Sequence, residues 1–250
     1  LLAVSAFNLK PDFTQPIWIT VWVPPGASAG EYQGSVAIRA EAQEVVIVPV
    51  RVRVYDVVIP PGAGHLRTSF DLVDGFLEKL YGKPVTRQVF RRYGDFILKH
   101  RLNPDHFSRN IPPRLDDLRH FRALGMNSFC VVNMAKDRGD GIRDGLNSPP
   151  EWYTEEHWLE LEHRLEPFIS ALRKDSDLRP LAYVHGFDER DIETHGAAMR
   201  LFFGRARDRW GLPTLTTSHI PTDPAVMKNL GVDWLCPILA QYHLSYEFEK

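Results

Sequence analysis

Two adjacent carboxylates, Asp188 and Glu189, have the position in this chain that best suits catalysis. They follow a short, mostly apolar run at residues 181–187, and a helical pattern begins directly after them. A buried strand that ends in acidic side chains is a common way in which α/β enzymes place catalytic groups. In this interpretation Glu189 is the general acid, and Asp188 holds and polarises a group of the substrate.

A purely structural interpretation of the same pair competes with the catalytic one. Asp188 would cap the helix that starts near Asp191, and Glu189 would interact favourably with the dipole of that helix. The spacing of the residues supports both interpretations equally.

The segments around the pair alternate between strand and helix patterns from about residue 66 onward. Helices are predicted to start at Thr86, near Leu115, near Thr154, after Asp191 and at Asp223, and Pro167 is expected to kink the third of them. Short strands are predicted at residues 67–72, 102–103, 127–133, 181–187, 214–218 and 232–237. Such alternation predicts an α/β fold with a parallel sheet and right-handed crossovers.

The strand count favours one architecture within this class. About six strands are present, which suits a TIM-like (β/α)8 barrel truncated before its last two strands, since the chain stops at Lys250. A doubly wound open sheet is the alternative, although no glycine-rich phosphate loop follows the first strand.

The first 60 residues have a different pattern. Apolar residues alternate at positions 17–23 and 48–54, a strand is also predicted at 35–39, and Gly/Pro turns separate these segments. This indicates the C-terminal part of a β-sandwich, followed by a linker at 59–64. We therefore expect a partial sandwich domain at 1–60 and a partial barrel at 61–250, both belonging to a longer protein.

Composition excludes several classes of function. The net charge of −2 carries no basic surplus, which argues against nucleic-acid binding. No apolar run approaches the roughly 20 residues that span a bilayer. Cys130 and Cys236 both lie in apolar, strand-like runs and are expected to be buried free thiols.

We expect neither a metal nor a cofactor. His185, Asp188, Glu189 and His195 match no zinc motif. The acidic loop residues Asp137, Asp140 and Asp144 miss the alternating spacing of a calcium loop. No nucleophile elbow with serine and no phosphate-binding loop is present.

The run Tyr183-Val184-His185-Gly186-Phe187-Asp188-Glu189 resembles the Asp-Glu signature of glycoside hydrolase family 123 and the related "domain of unknown function 4091" proteins. The stretches at 15–20, 23–24 and 30–34 also look like that family, and so does the order of sandwich and barrel. His185 departs from the pattern, because tyrosine is more common at that place.

The resemblance implies an exo-acting β-N-acetylgalactosaminidase that uses substrate assistance. The 2-acetamido oxygen of the sugar attacks the anomeric carbon and forms an oxazolinium. Asp188 would orient the acetamido group, and Glu189 would protonate the leaving oxygen and then activate water. The substrate would be a glycan or glycoconjugate, and the family suggests a secreted, periplasmic or cell-surface bacterial protein.

Further polar and aromatic residues are candidates for binding the sugar. Their polar groups would bond sugar hydroxyls at C-terminal strand ends, and their rings would stack on a sugar face. The candidates are Asn103, His106, Asn133, His185, His219, Trp234 and Tyr242, together with Trp152 and Tyr153 in the loop after the third strand.

Two other functions remain open from the sequence. A classical retaining glycosidase would use Glu189 as acid/base and a nucleophilic glutamate beyond Lys250. A catalytically silent carbohydrate-binding module would instead use Asp188 and Glu189 in helix caps or salt bridges.

Overall fold

The computed structural model describes residues 6–41, 43–59, 66–135, 148–219 and 223–237. The chain divides into two compact units, Leu1–Ile59 and Pro60–Lys250.

The described residues of the first unit include an antiparallel hairpin. Strand β1 (Gly30–Ile38) pairs with β2 (Val46–Val54), and the register runs from Gly30 opposite Val54 to Ile38 opposite Val46. The sequence predicts strands at 48–54 and 35–39, whereas the glycine-rich stretch at 30–34 is typical of a turn and instead forms the start of β1. Residues 17–23, also predicted as a strand, form none here, because extended backbone becomes a strand only when another strand pairs with it.

The second unit alternates strands and helices. Its strands are β3 (Phe70–Asp71), β4 (Pro104–Asp105), β5 (Phe129–Asn133), β6 (Ala182–His185), β7 (Thr214–Thr216) and β8 (Trp234–Leu235). Its helices are α1 (Asp74–Tyr81), α2 (Arg87–Lys99), α3 (Leu115–Ala123), α4 (Glu155–Arg173), α5 (Ile192–Arg205) and α6 (Pro224–Leu230). β3 pairs with β4, and β5 to β8 form a sheet in chain order; every one of these pairings is parallel. The predicted α/β class is confirmed.

Local capping explains where several helices begin. The side chain of Thr86 accepts from the N–H of Val89 at 3.3 Å, and Thr154 accepts from His157 in the same way at 3.1 Å. Asp223 caps α6, and Pro224 follows at its first position. Helix α4 runs unbroken for 19 residues and includes Pro167, so the proline does not end it, and the kink expected there stays a prediction. Helix α1 was not predicted, and Leu77 is its only buried residue.

Side chains of β4, β6 and β8 contact one another or a common neighbour. The hydroxyl of Tyr183 on β6 donates to Asp105 on β4 at 2.7 Å. The ring of Tyr183 also lies 5.4 Å from that of Trp234 on β8, and the Arg67 guanidinium lies 4.5 Å above Trp234. These contacts join β4, β6 and β8 through their side chains, although none of the three strands pairs with another of them.

Helices α4 and α5 pack against each other through aromatic rings. The rings of Trp158 and Trp210 stack at 4.7 Å, and Trp158 also meets Phe202 edge to face at 5.7 Å. All three side chains are buried. Such aromatic packing contributes to stability beyond the burial of apolar area and holds the two helices together.

The two cysteines differ in their surroundings. Cys130 on β5 is fully buried, as expected, and burial raises the pKa of its thiol well above the usual range. Cys236 follows β8 and is exposed, so its predicted burial is wrong. A strand of two residues places only Trp234 and Leu235 against the sheet, and Cys236 already lies beyond it.

Candidate active site

The chain turns sharply where β6 ends. Phe187 and Glu189 have φ values of 59° and 49°, in the left-handed region that residues other than glycine rarely adopt. Phe187 is fully buried, and its ring stacks on that of Tyr153 at 4.4 Å. Its carbonyl oxygen accepts hydrogen bonds from the hydroxyls of Thr216, at 3.0 Å, and Ser218. These contacts hold the strained backbone in place.

Helix α5 has its own cap, which separates the two interpretations of Asp188. The side chain of Asp191 accepts from the N–H of Thr194 at 2.8 Å and from its hydroxyl at 2.6 Å. These hydrogen bonds lower the pKa of the Asp191 carboxyl. The interpretation of Asp188 as the helix cap is therefore wrong, since Asp191 occupies that position.

Asp188 and Glu189 have different surroundings at the C-terminal end of β6. Asp188 is half-buried, and its Oδ1 accepts from the hydroxyl of Thr217, the residue after β7. Glu189 is exposed. Within the described part of the chain neither carboxylate forms an ion pair.

A buried polar chain leads to Asp188. The side-chain nitrogen of Asn133 lies 3.0 Å from Nδ1 of His185, and Nε2 of His185 lies 3.4 Å from the Thr217 hydroxyl. Asn133 and His185 are buried and Thr217 is half-buried. The ends of three neighbouring strands, β5, β6 and β7, thus supply one connected set of polar groups that includes two of the predicted site residues.

Asn103 lies elsewhere. Its amide nitrogen donates to the carbonyl of Thr68 at 3.0 Å, to Asn127 at 2.8 Å and to Ser128 at 2.9 Å. It precedes β4 instead of following it, so it links the beginnings of strands and is saturated with structural hydrogen bonds. Its predicted position at a C-terminal strand end is wrong, because the strand starts two residues later than the sequence indicated.

His106 occupies the C-terminal strand end that was predicted for it. Its Nδ1 lies 3.1 Å from Asp71, which ends β3. A second, buried carboxylate precedes it: Asp105 accepts from the N–H of His106 at 2.7 Å, from both the N–H of Cys130 and the Tyr183 hydroxyl, and from Arg109 at 3.3 Å. Burial and the nearby Asp105 carboxylate raise the pKa of Tyr183 well above its usual value.

The remaining candidates are spread over other parts of the second unit. The backbone N–H of His219 donates to the carbonyl of Arg190 at 2.8 Å, and His219 is exposed. Trp234 is half-buried, and its ring packs against that of Tyr183. Tyr153 is buried under Phe187, which makes it a support of the turn and not an open platform, whereas Trp152 is half-buried. Tyr242 lies outside the described residues.

Sequence reasoning missed Asp105 and Thr217. Asp105 was overlooked because the second strand was placed at residues 102–103, which left this residue in a loop. Thr217 lies 29 residues from Asp188, and nothing in their spacing indicates contact. A usable signal is the run of hydroxyl residues Thr216, Thr217 and Ser218 at the end of the strand predicted at 214–218.

Metal ligands and membrane segments were also sought in the described residues. There, no group of three or more His, Cys, Asp and Glu side chains is placed to hold a metal ion. The acidic positions 137, 140 and 144 fall outside the described ranges. No described helix is both long enough and apolar enough to cross a membrane.

The chain matches a protein-family model and is similar to solved structures. Residues 2–40 match the model of the glycoside hydrolase 123 N-terminal domain. The chain is also similar to the structure of a family 123 glycoside hydrolase from Clostridium perfringens, described in connection with glycolipid glycan hydrolysis, with a TM-score of 0.59 and 12% identity. That match covers 89% of this chain and 47% of the other, so this chain spans about half the length of that enzyme. No curated protein matches the chain.

Proposed function

Because this chain resembles glycoside hydrolase family 123 in the sequence of residues 2–40 and in fold, we propose that it is part of a glycoside hydrolase. Its substrates are glycans or glycoconjugates that end in a β-linked N-acetylhexosamine, N-acetylgalactosamine above all. The reaction is exo-acting and retains the anomeric configuration, with Asp188 and Glu189 as the catalytic pair.

The first step forms a ring within the substrate. The carbonyl oxygen of the 2-acetamido group attacks C1, while the bond from C1 to the leaving oxygen breaks and Glu189 transfers its proton to that oxygen. Asp188 accepts a hydrogen bond from the acetamido N–H and stabilises the positive charge that develops on the oxazolinium.

The second step restores the catalyst. The Glu189 carboxylate takes a proton from water, the water oxygen attacks C1, and the ring opens to regenerate the acetamido group. Two inversions at C1 give net retention, and no second carboxylate of the enzyme has to act as nucleophile. The two acids serve neighbouring atoms of the substrate, which suits residues adjacent in sequence.

One observation carries this proposal: Asp191 caps helix α5, so Asp188 does not, and Asp188 instead accepts a hydrogen bond from Thr217. A half-buried carboxylate that is anchored through one oxygen is a suitable acceptor for a substrate amide. The exposed Glu189 beside it is suited to exchange protons with a leaving group and with water. A silent module would be expected to use these carboxylates in caps or salt bridges.

The proposed architecture follows the same family. We propose that the second unit belongs to a (β/α)8 barrel, and the contacts of Tyr183 with Asp105 and Trp234 support the curvature that a barrel requires. We also propose that the hairpin β1–β2 belongs to a β-sandwich, which the match of residues 2–40 to an N-terminal domain supports.

The test is hydrolysis of aryl 2-acetamido-2-deoxy-β-galactosides and the corresponding glucosides by the whole protein. Glu189→Gln should lower the rate roughly 10²–10⁴-fold on poor leaving groups and less on acidic phenols, which need no proton. Glu193→Gln, an exposed carboxylate in the first turn of α5, is the matched control and should keep the wild-type rate.

Inhibition by an N-acetylhexosamine thiazoline separates the mechanisms. A substrate-assisted enzyme should be inhibited, because thiazoline resembles the oxazolinium. Hydrolysis that is insensitive to thiazoline would instead indicate a classical retaining enzyme. Absence of hydrolysis with every hexosaminide, together with retained glycan binding, would favour the silent module.

A further inference from the structure

We propose that Asn133, His185 and Thr217 form a directed hydrogen-bond chain that positions Asp188, with His185 held as the neutral tautomer protonated on Nε2. This inference rests on the proposed function, because it assigns these residues a role in the action of Asp188. None of the three touches the reacting atoms in this proposal, so they are positioning residues.

The direction of the chain starts at Asn133. Its Oδ1 accepts from the backbone N–H of Ala135 at 2.8 Å, which assigns the other end of the amide as the NH2 group. That NH2 group faces Nδ1 of His185 at 3.0 Å and can only donate. The backbone of the β5 end therefore decides which way the Asn133 amide points.

The tautomer of His185 follows from that donation. A ring nitrogen that accepts a hydrogen bond carries no proton, so Nδ1 is unprotonated and the proton of the neutral ring is on Nε2. His185 is fully buried, and the edge of its ring meets that of Phe107 at 4.8 Å between centroids.

The last link reaches the carboxylate. The Nε2 proton of His185 points to the Thr217 hydroxyl at 3.4 Å, and the single proton of that hydroxyl is then available for Oδ1 of Asp188. Every group donates in the same direction along the chain, towards a negative charge, which is the arrangement that strengthens successive hydrogen bonds.

The two oxygens of Asp188 therefore have different roles towards the substrate. Oδ1 is held from the side of the protein by Thr217, so Oδ2 is the oxygen that receives the acetamido N–H. Because the charge on that group develops during ring formation, correct placement of Oδ2 stabilises the transition state more than the bound substrate.

The first test replaces Thr217 in the whole protein. Thr217→Val keeps the shape of the side chain and removes the hydroxyl, and it should lower kcat roughly 10- to 100-fold with little change in KM. The inhibition constant for thiazoline should rise by the same factor as kcat falls, because both report on the oxazolinium. Thr217→Ser restores the hydroxyl and should recover most of the activity.

The second test does not depend on activity. In a 15N-labelled protein, the ring nitrogens of His185, assigned by comparison with His185→Gln, should show an unprotonated Nδ1 and a protonated Nε2. A proton on Nδ1 would contradict the proposed hydrogen-bond chain even in an active enzyme. So would an active enzyme in which Thr217→Val retains the wild-type kcat and thiazoline affinity.

The two tests also separate this inference from the proposed function. If no hexosaminide is hydrolysed while His185 has the expected tautomer, the proposed function fails, and the hydrogen-bond chain is supported only as a structural feature. If hydrolysis is substrate-assisted but either His185 or Thr217 behaves otherwise, the positioning role alone fails.

Discussion

Replacing Asp105 by alanine should destabilise the second unit strongly, although Asp105 is not assigned to catalysis. Its carboxylate is fully buried between β4, β5 and β6 and accepts from the Cys130 N–H at 2.9 Å and from the Tyr183 hydroxyl at 2.7 Å. It also accepts from Arg109, whose side chain is 15% exposed. The substitution removes the acceptor of the Cys130 and Tyr183 donors, whereas Arg109 still donates to the carbonyl of His106.

The magnitude follows from how much water each donor can reach. Cys130 and Tyr183 are both buried, so leaving either donor unsatisfied lowers the free energy of unfolding by roughly 1–3 kcal/mol. Arg109 is more accessible and can be partly solvated again. The expected loss in the free energy of unfolding is therefore about 2–6 kcal/mol, and Asp105→Asn should cost less because one oxygen remains to accept.

The measurement is urea denaturation followed by circular dichroism, together with hydrogen exchange at the Cys130 amide. The matched control is Asp71→Asn, because Asp71 lies opposite Asp105 in the β3–β4 register but its side chain is 46% exposed. The control should change the unfolding free energy by less than about 1 kcal/mol. Equal losses for Asp105→Ala and Asp71→Asn would refute the reasoning, since burial would then not decide the cost.

Three further predictions concern the thiols, the phenol and the helix cap. The pKa values of Cys130 and Tyr183 are raised, so the folded protein keeps their protons at pH values above 9.0 and 10.0, respectively, where the unfolded chain loses them. The free energy of unfolding should therefore fall by about 1.4 kcal/mol per pH unit for each group at alkaline pH. Cys130→Ala should remove the contribution of Cys130 to this pH dependence, measured by urea denaturation. A thiol reagent should modify Cys236 in the native protein and Cys130 only after unfolding; rapid native reaction of both would contradict the burial of Cys130. Asp191→Ala should cost about 0.5–2 kcal/mol of stability by denaturant titration, because α5 loses its cap, and no loss would mean that another group caps the helix.

Features that depend on neighbouring residues could be predicted from the sequence. The caps Thr86, Thr154 and Asp223 act on N–H groups two or three residues away, so the starts of their helices follow from local pattern. The parallel α/β class followed from the alternation of strand and helix patterns in the same way.

Features that depend on distant partners could not be predicted. Residues 17–23 have a strand pattern, but whether they pair depends on other strands and not on their own sequence. Strand β4 has two residues, too few for any periodicity, so Asp105 was missed and Asn103 was placed at the wrong end. The bond from Thr217 to Asp188 likewise joins residues that only the fold brings together.

The turn after β6 explains how two adjacent acids can serve one substrate. In a continuing strand Asp188 and Glu189 would point to opposite faces of the sheet, because side chains alternate. Phe187 and Glu189 instead adopt left-handed conformations on either side of Asp188, which breaks that alternation. Glycine would adopt these angles at lower cost, but glycine at position 187 would lack the ring that packs between Tyr153 and Phe203. The buried ring and the two hydroxyls on the Phe187 carbonyl therefore hold the strained turn, and the turn releases Asp188 from the alternation of the strand so that Thr217 can hold it.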